Sequence, residues 1–298
     1  MISIDEAFKK FRSRLELTDR EQNDASKRQQ EIRAYMDEKF KIQDDFLTGS
    51  YRRWTKTKPL KDVDIFCVFH DDERHYREKS PSVLLQDVEK KLADKYGKEN
   101  VCQQRRSVSV SFGVRVDENE QTDDKVMSFD VVPAFTKSDY YEIPDTATSS
   151  GWTSTNPKIH AEKATDANKA FNGEWKGIVR MIKKWNRHQN KPIKPSFLIE
   201  VMALDLLRPP YGGDYRREIQ SFFASAADRI EETWPDPAGL GPAVSDGMTA
   251  SEKQNAKRVL LEAESTVARA ILLAKRGNNG EALRVWRNEV FGPLFPLS

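Results

Sequence analysis

The sequence predicts an α+β protein, with a mixed sheet flanked by helices over residues 1–165 and a mostly helical lobe over 166–298. Three observations predict it. Residues 63–69 (VDIFCVF) are dense in β-branched and aromatic side chains, and 107–116 (SVSVSFGVRV) alternates strictly, as strands do. From Asp166 onward, apolar residues instead recur at helical spacing. Ligands favour the cleft between two such lobes, so the active site is expected there.

The elements follow in order. Ile4, Ala7, Phe8, Phe11 and Leu15 form one helical apolar stripe. Thr18 and Glu21 make a capping box for a second helix, with Ile32, Tyr35, Met36 and Phe40 on its apolar face. Strand signals begin at Phe46. Residues 80–96 read as a helix with Val83, Leu84, Val88 and Leu92 inward. The acidic run 117–125 (DENEQTDDK) reads as a solvated hairpin loop, and the returning strand VMSFDVVPAF is expected to end near Pro133. Helical patterns then cover 167–188, 196–207, 215–233 and 251–275, the last headed by a Thr249/Glu252 capping box. Pro209-Pro210, Gly212-Gly213 and the stretch PDPAGLGPAVSDG separate them.

Composition narrows the function classes. The chain of 298 residues carries 49 basic and 47 acidic groups, a net charge of +2, so bulk charge gives no support for coating nucleic acid. Mean hydropathy is -0.73, on the polar side of globular. Two cysteines, Cys67 and Cys102, are too few for a disulfide framework or a cysteine zinc site, and the four histidines show no ligand-like spacing. Cys67 reads as a small buried hydrophobe. No stretch resembles a signal peptide or a membrane span, which makes a cytoplasmic setting the expectation.

The chemistry concentrates in residues 48–69, TGSYRRWTKTKPLKDVDIFCVF. Residues two apart on a strand share a face, so Asp62 and Asp64 project together while Val63 points into the core. Paired carboxylates repel unless cations bridge them. Two Mg²⁺ (or Mn²⁺) ions, about 3.5–4 Å apart, are the usual solution and suit in-line displacement at phosphorus. Asp130, in a second apolar strand beside Phe129, Val131 and Val132, is the candidate third carboxylate. Gly49 permits close backbone approach, and the Ser50 hydroxyl with neighbouring amides can hold a triphosphate.

The spacing of GS and DVD resembles the DNA-polymerase-β-like nucleotidyltransferase superfamily. The longer string GSYRRWTKTKPLKDVDIF resembles, more narrowly, the bacterial cGAS/DncV-like nucleotidyltransferases of anti-phage (CBASS) signalling. FDVVPAF resembles the segment holding their third acid, GWTSTNPKIH their substrate-side strap, and RMIKKWNRHQNKPIKPSFLIE their spine helix with a phosphate-contacting Lys and Ser. DPAGLGPAVSDGM and VWRNEVFGPLFP resemble the members that accompany HORMA-type regulatory proteins.

The resemblance implies a polymerase-β-like lobe and an oligoadenylate-synthase-like helical lobe. It implies that Asp62 and Asp64 bind both metals, that Asp130 completes the site and favours deprotonation of the acceptor hydroxyl, and that Gly49, Ser50, Lys183 and Ser196 hold the donor triphosphate. Phe197 would stack on a base. It implies ATP and other NTPs as substrates, a HORMA-type partner, and a cyclic oligonucleotide product, a trinucleotide rich in adenine or a dinucleotide. Trp54 departs from the family string, where a small or polar residue is usual.

The residues alone leave other readings open. Lys183 and Lys184 fit a solvated helix face, Ser196 an N-cap for a helix starting at Phe197, and Phe197 a core position. Arg52, Arg53, Arg105 and Arg106 receive no firm role, nor do Trp152 and His160. Rival functions are a synthase of linear oligonucleotides or modifier of RNA ends, a toxin-like enzyme that nucleotidylates a macromolecule, and a non-catalytic nucleotide or RNA sensor.

Overall fold

The computed structural model describes residues 2–58, 62–113 and 128–298. The expected acidic loop at 117–125 lies outside the described residues, as do the outer ends of the strands flanking it. The chain divides into two compact units, one of Leu17–Arg53 and Pro59–Ala161, the other of Met1–Glu16, Trp54–Lys58 and Glu162–Ser298.

The first unit is built on a sheet. In chain order the chain contributes helix α1 (Ile4–Arg14), α2 (Asp19–Lys39), strand β1 (Ile42–Thr48), the short α3 (Gly49–Arg52), β2 (Asp62–Phe69), α4 (Pro81–Tyr96), β3 (Val101–Gln103), β4 (Val108–Ser111), β5 (Ser128–Lys137), β6 (Tyr140–Pro144) and β7 (Trp152–Thr155). The strands pair in the order β1-β2-β5-β4-β3, with β6 on β5 and β7 on β6. Among the described strands only β2 and β5 pair in parallel, in register from Asp62↔Ser128 to Phe69↔Phe135. Parallel neighbours need a long crossover, and α4 with the β3–β4 hairpin lies in the chain between them.

Alternation gives the sheet two faces. Val63, Ile65, Cys67, Phe69, Phe129, Val131 and Phe135 join Ile32 and Met36 of α2 and Leu84, Val88 and Leu92 of α4 in one core. Burial pushes the Cys67 thiol up to about 12, as befits an inert packing residue. The opposite face begins with Asp62, Asp64 and Asp130 and turns apolar further along, where Phe66, Val68, Val132, Ala134 and Ile143 pack together.

Two strand expectations need correction. β1 starts at Ile42, before the first strong strand signal. β5 runs through Pro133 to Lys137 instead of stopping there. The proline falls between the segment paired with β4 (Ser128–Val131) and the one paired with β6 (Phe135–Lys137), where the outer edge of β5 loses little from a missing N–H.

A buried charge cluster follows β6. Asp145, directly after β6, has a side chain with no exposed surface. Its Oδ1 accepts from Arg105 Nε (2.5 Å) and the Ala147 amide (3.1 Å). Its Oδ2 accepts from Arg105 Nη2 (2.8 Å) and Arg106 Nε (2.8 Å). Burial alone would raise the Asp145 pKa, but these hydrogen bonds outweigh it and hold the carboxyl below its ordinary value.

The second unit is helical: α1, part of α5 (Pro157–Ala170), α6 (Trp175–His188), α7 (Ser196–Leu206), α8 (Tyr215–Arg229), α9 (Ala250–Lys275) and α10 (Asn279–Val285), with a π turn at Trp286–Phe291. The expected single helix over 167–188 is broken between α5 and α6, where Asn172 and Gly173 adopt positive φ. The Thr18 and Thr249 capping boxes form as expected, and Ser3 with Glu6 adds a third.

Residues 1–16 fall in the helical unit. Phe8 packs on Trp286 and Phe295, and Phe11 on Phe291 and Phe295, so α1 belongs to the helical core. An apolar stripe shows that a helix is buried without showing which core receives it.

Replacing Asp145 by Asn tests the charge cluster. A depressed folded pKa stabilises the native state above the carboxylate's unfolded pKa, and that contribution disappears as pH falls through the folded value. Asp145→Asn should lose about 2 kcal/mol at neutral pH by urea denaturation. The difference from wild type should shrink as pH drops below about 4.

Candidate active site

The acids predicted from the sequence share one sheet face. Asp62 and Asp64 alternate with the fully buried Val63, and both are half-buried. Asp130 lies directly beside Asp64 in the parallel β2–β5 register, where paired residues present their side chains to the same face. The row continues on both sides: Thr48 pairs with Asp64 from β1, and Ser109 pairs with Asp130 from β4. A polar level thus crosses four strands, with an apolar cluster further along β2 and β5 on the same face.

Gly49 opens the turn beside this row. Its φ is +63°, a conformation that favours glycine, and a Cβ built there would overlap the Asp64 carboxylate, 2.6 Å from its Cγ. The backbone of the Gly49–Ser50 turn is therefore packed against a candidate metal ligand. Ser50 follows in α3, half-buried. Gln104, in the β3–β4 turn, reaches Asp130 Oδ1 with its Nε2 at 3.5 Å and accepts from Ser107 Oγ at 3.0 Å.

The donor set is all oxygen, which fits a hard divalent cation such as Mg²⁺ or Mn²⁺. As the side chains stand, no group of three or more His, Cys, Asp or Glu among the described residues is gathered closely enough to hold a metal. The backbone register sets Asp64 beside Asp130, with Asp62 two residues earlier on β2.

The remaining predicted residues lie in the helical unit. Lys183 and Lys184 are both buried, at 6% and 3% exposure, so neither forms the solvated helix face that spacing also allowed. Lys183 Nζ is 2.6 Å from Glu200 Oε1 and 3.5 Å from Thr55 Oγ1, and Thr55 donates to Glu200 Oε2 at 2.8 Å. Ser196 is the first residue of α7, with Pro195 rather than Ser196 in the capping position. Phe197 is partly buried against the helical core.

Sequence reasoning missed this grip on the segment 54–58. Arg180 Nη1 donates to the Trp54 carbonyl at 2.7 Å and its Nη2 to Glu16 at 2.7 Å, while Arg187 Nη1 donates to the Lys58 carbonyl at 3.1 Å. Arg180, Lys183 and Arg187 recur at i, i+3 and i+7, a spacing that puts them on one helix face. Trp54 itself is 56% exposed and has φ +59°, a strained backbone for a bulky residue. Arg52 is exposed and Arg53 buried. Trp152 packs edge-on against Phe135, with Arg77 over its ring.

Comparison with known proteins identifies the class. Residues 2–168 match the Second Messenger Oligonucleotide or Dinucleotide Synthetase domain, and the chain belongs to that family, the cGAS/DncV-like nucleotidyltransferases. It is 30% identical over 276 residues to a probable cyclic nucleotide synthase of Bacillus cereus (strain VD146), covering 83% of this chain and 81% of that one. It is 27% identical over 277 residues to a cyclic AMP-AMP-AMP synthase of Acinetobacter sp., covering 85% and 73%. In fold it is similar to CdnC of E. coli MS115-1. The structure solved with ATP superposes with a TM-score of 0.72 at 17% identity over 99% of both chains. The complex of CdnC with HORMA gives 0.71 at 18% over 98% of both. No helix among the described residues is long and apolar enough to cross a membrane.

Gly49→Ala is the sharpest test of this geometry. Nucleotidyl transfer should fall by about 100-fold or more, because the added methyl displaces either the turn or Asp64. The positive φ should cost about 1–2 kcal/mol of stability by thermal melting.

Proposed function

We propose that the protein converts nucleoside triphosphates into a cyclic oligonucleotide second messenger with release of pyrophosphate, in anti-phage defence. The observation that carries this reading is the row of Asp64 and Asp130 at neighbouring register positions, with Asp62 two residues away and Gly49 against Asp64. Membership of the synthetase family supports it. The resemblance to a cyclic AMP-AMP-AMP synthase supports an adenine-containing cyclic trinucleotide, with a cyclic dinucleotide as the smaller alternative.

Asp62, Asp64 and Asp130 would hold two divalent ions, which supply charge neutralisation at the triphosphate and ease loss of the acceptor proton. This fits the general use of divalent metals in the family. The protein contributes no nucleophile. The Gly49–Ser50 turn holds the donor triphosphate, and Asp130 orients the attacking hydroxyl. Lys183 and Ser196 join the triphosphate contacts, with Lys183 exchanging its Glu200 partner for phosphate, and Phe197 offers a ring to a base. ATP, alone or with other NTPs, is the substrate. A HORMA-type regulator is the proposed partner, on the strength of the fold shared with CdnC, which has been solved with one.

Incubation with each labelled NTP and Mg²⁺ or Mn²⁺, with and without a HORMA-type protein, tests this directly. The expected product resists phosphatase, has the mass of a cyclic oligonucleotide and is absent with Asp64→Asn, which removes a ligand without removing volume. A phosphatase-sensitive product would favour linear synthesis. Undiminished product from Asp64→Asn would exclude the acid row as the catalytic centre.

A further inference from the structure

We propose that Arg180 is a positioning residue for nucleotidyl transfer, holding the segment Trp54–Lys58 in a conformation the segment does not favour by itself. The inference rests on the nucleotidyl-transfer reading and adds to it a residue that acts through the backbone.

In the chain, the segment stands between the two halves of the candidate site. Trp54 follows Ser50 by four residues, and Lys58 precedes Asp62 by four. Whatever fixes the segment therefore limits where the chain leaves the glycine turn and where it enters the acid strand. Its own conformation is unfavourable in two respects. Trp54 has φ +59°, which a bulky side chain rarely adopts. Thr57 is buried, and its Oγ1 has no hydrogen-bond partner among the described residues. A strained backbone and an orphaned buried hydroxyl persist only where surrounding contacts impose them, and such places concentrate at functional sites.

Helix α6 supplies those contacts, and the segment groups with the helical unit. Arg180 Nη1 takes the first carbonyl of the segment, that of Trp54, at 2.7 Å, and Arg187 Nη1 takes the last, that of Lys58, at 3.1 Å. Between them, Thr55 Oγ1 donates to Glu200, which also pairs with Lys183. Of the three α6 cations, Arg180 acts at the strained residue itself. Its guanidinium is buried, and its Nη2 donates to Glu16 Oε1 at 2.7 Å, so the donor facing Trp54 is fixed from behind. A charged donor bonds a carbonyl roughly twice as strongly as a neutral one, which suits it to holding a turn against strain.

The test uses the full-length protein with the NTPs that wild type consumes and Mg²⁺ or Mn²⁺. Pyrophosphate release gives kcat and KM, and each variant is melted alongside. Arg180→Met should lower kcat about tenfold or more, because displacement of reacting groups is costly. KM should change less than about threefold, since no group that binds substrate is removed. Arg180→Lys should recover part of the loss, its ammonium still reaching one carbonyl. Glu16→Gln alters the other partner of the same guanidinium and should keep kcat within about twofold.

The decisive comparison repeats Arg180→Met in a Trp54→Gly background. Glycine adopts positive φ unaided, so the kcat loss should shrink by about fivefold or more there. Should Arg180→Met fail to fold, Arg180→Lys in the two backgrounds carries the same comparison. An equal loss in both backgrounds, or a kcat that falls with melting temperature in Glu16→Gln as it does in the Arg180 variants, reduces Arg180 to helix packing and overturns the proposal. Unchanged kcat in the Arg180 variants overturns it too, and both results leave the nucleotidyl-transfer reading standing. Absence of pyrophosphate release by wild type with every NTP mixture overturns that reading, and this inference with it.

Discussion

Like charges held side by side on a sheet are the constraint around which the sheet unit is organised. The parallel register places Asp64 beside Asp130, and alternation puts Asp62 on the same face. Carboxylates brought together on one face need cations or hydrogen-bond donors to compensate their charge. The flanking positions accordingly carry Thr48 and Ser109 in place of apolar side chains. Apolar burial resumes at Phe66 and Val132, two residues further along each strand, so stability and chemistry occupy separate zones of one face.

The same logic explains the turn. Gly49 contributes backbone and no side chain because the Asp64 carboxylate already fills the space. The segment that continues from it is anchored in turn by α6, through Arg180, Lys183 and Arg187. Arg180 is buried, and desolvation lowers its pKa in spite of Glu16 nearby. A cation accepts such a site when fixed oxygens receive its protons, and the Trp54 carbonyl and the Glu16 carboxylate do so here.

Much of this was legible in the sequence because period and residue type speak directly about faces. DVD in an apolar run gives two acids on one side, and FDVVPAF gives a third on another strand. That these strands are parallel neighbours is a long-range fact which periodicity does not carry. The residues alone also allow Lys183 a solvated helix face, since Glu200, its buried partner, lies 17 residues away. Arg105 and Asp145 are 40 residues apart, and nothing local connects them. The stripe of α1 announced burial correctly but not in which core, since any apolar partner satisfies it.

The central claim is that the acid row exists to hold divalent cations, and metal-dependent stability tests it without reference to any product. Metal-free wild type and Asp64→Asn are melted with and without Mn²⁺. A cation that binds only the folded state raises the melting temperature. The acid row as a cation site predicts a rise in wild type that is lost in Asp64→Asn. An equal Mn²⁺ shift in both proteins, or none in either, would contradict it.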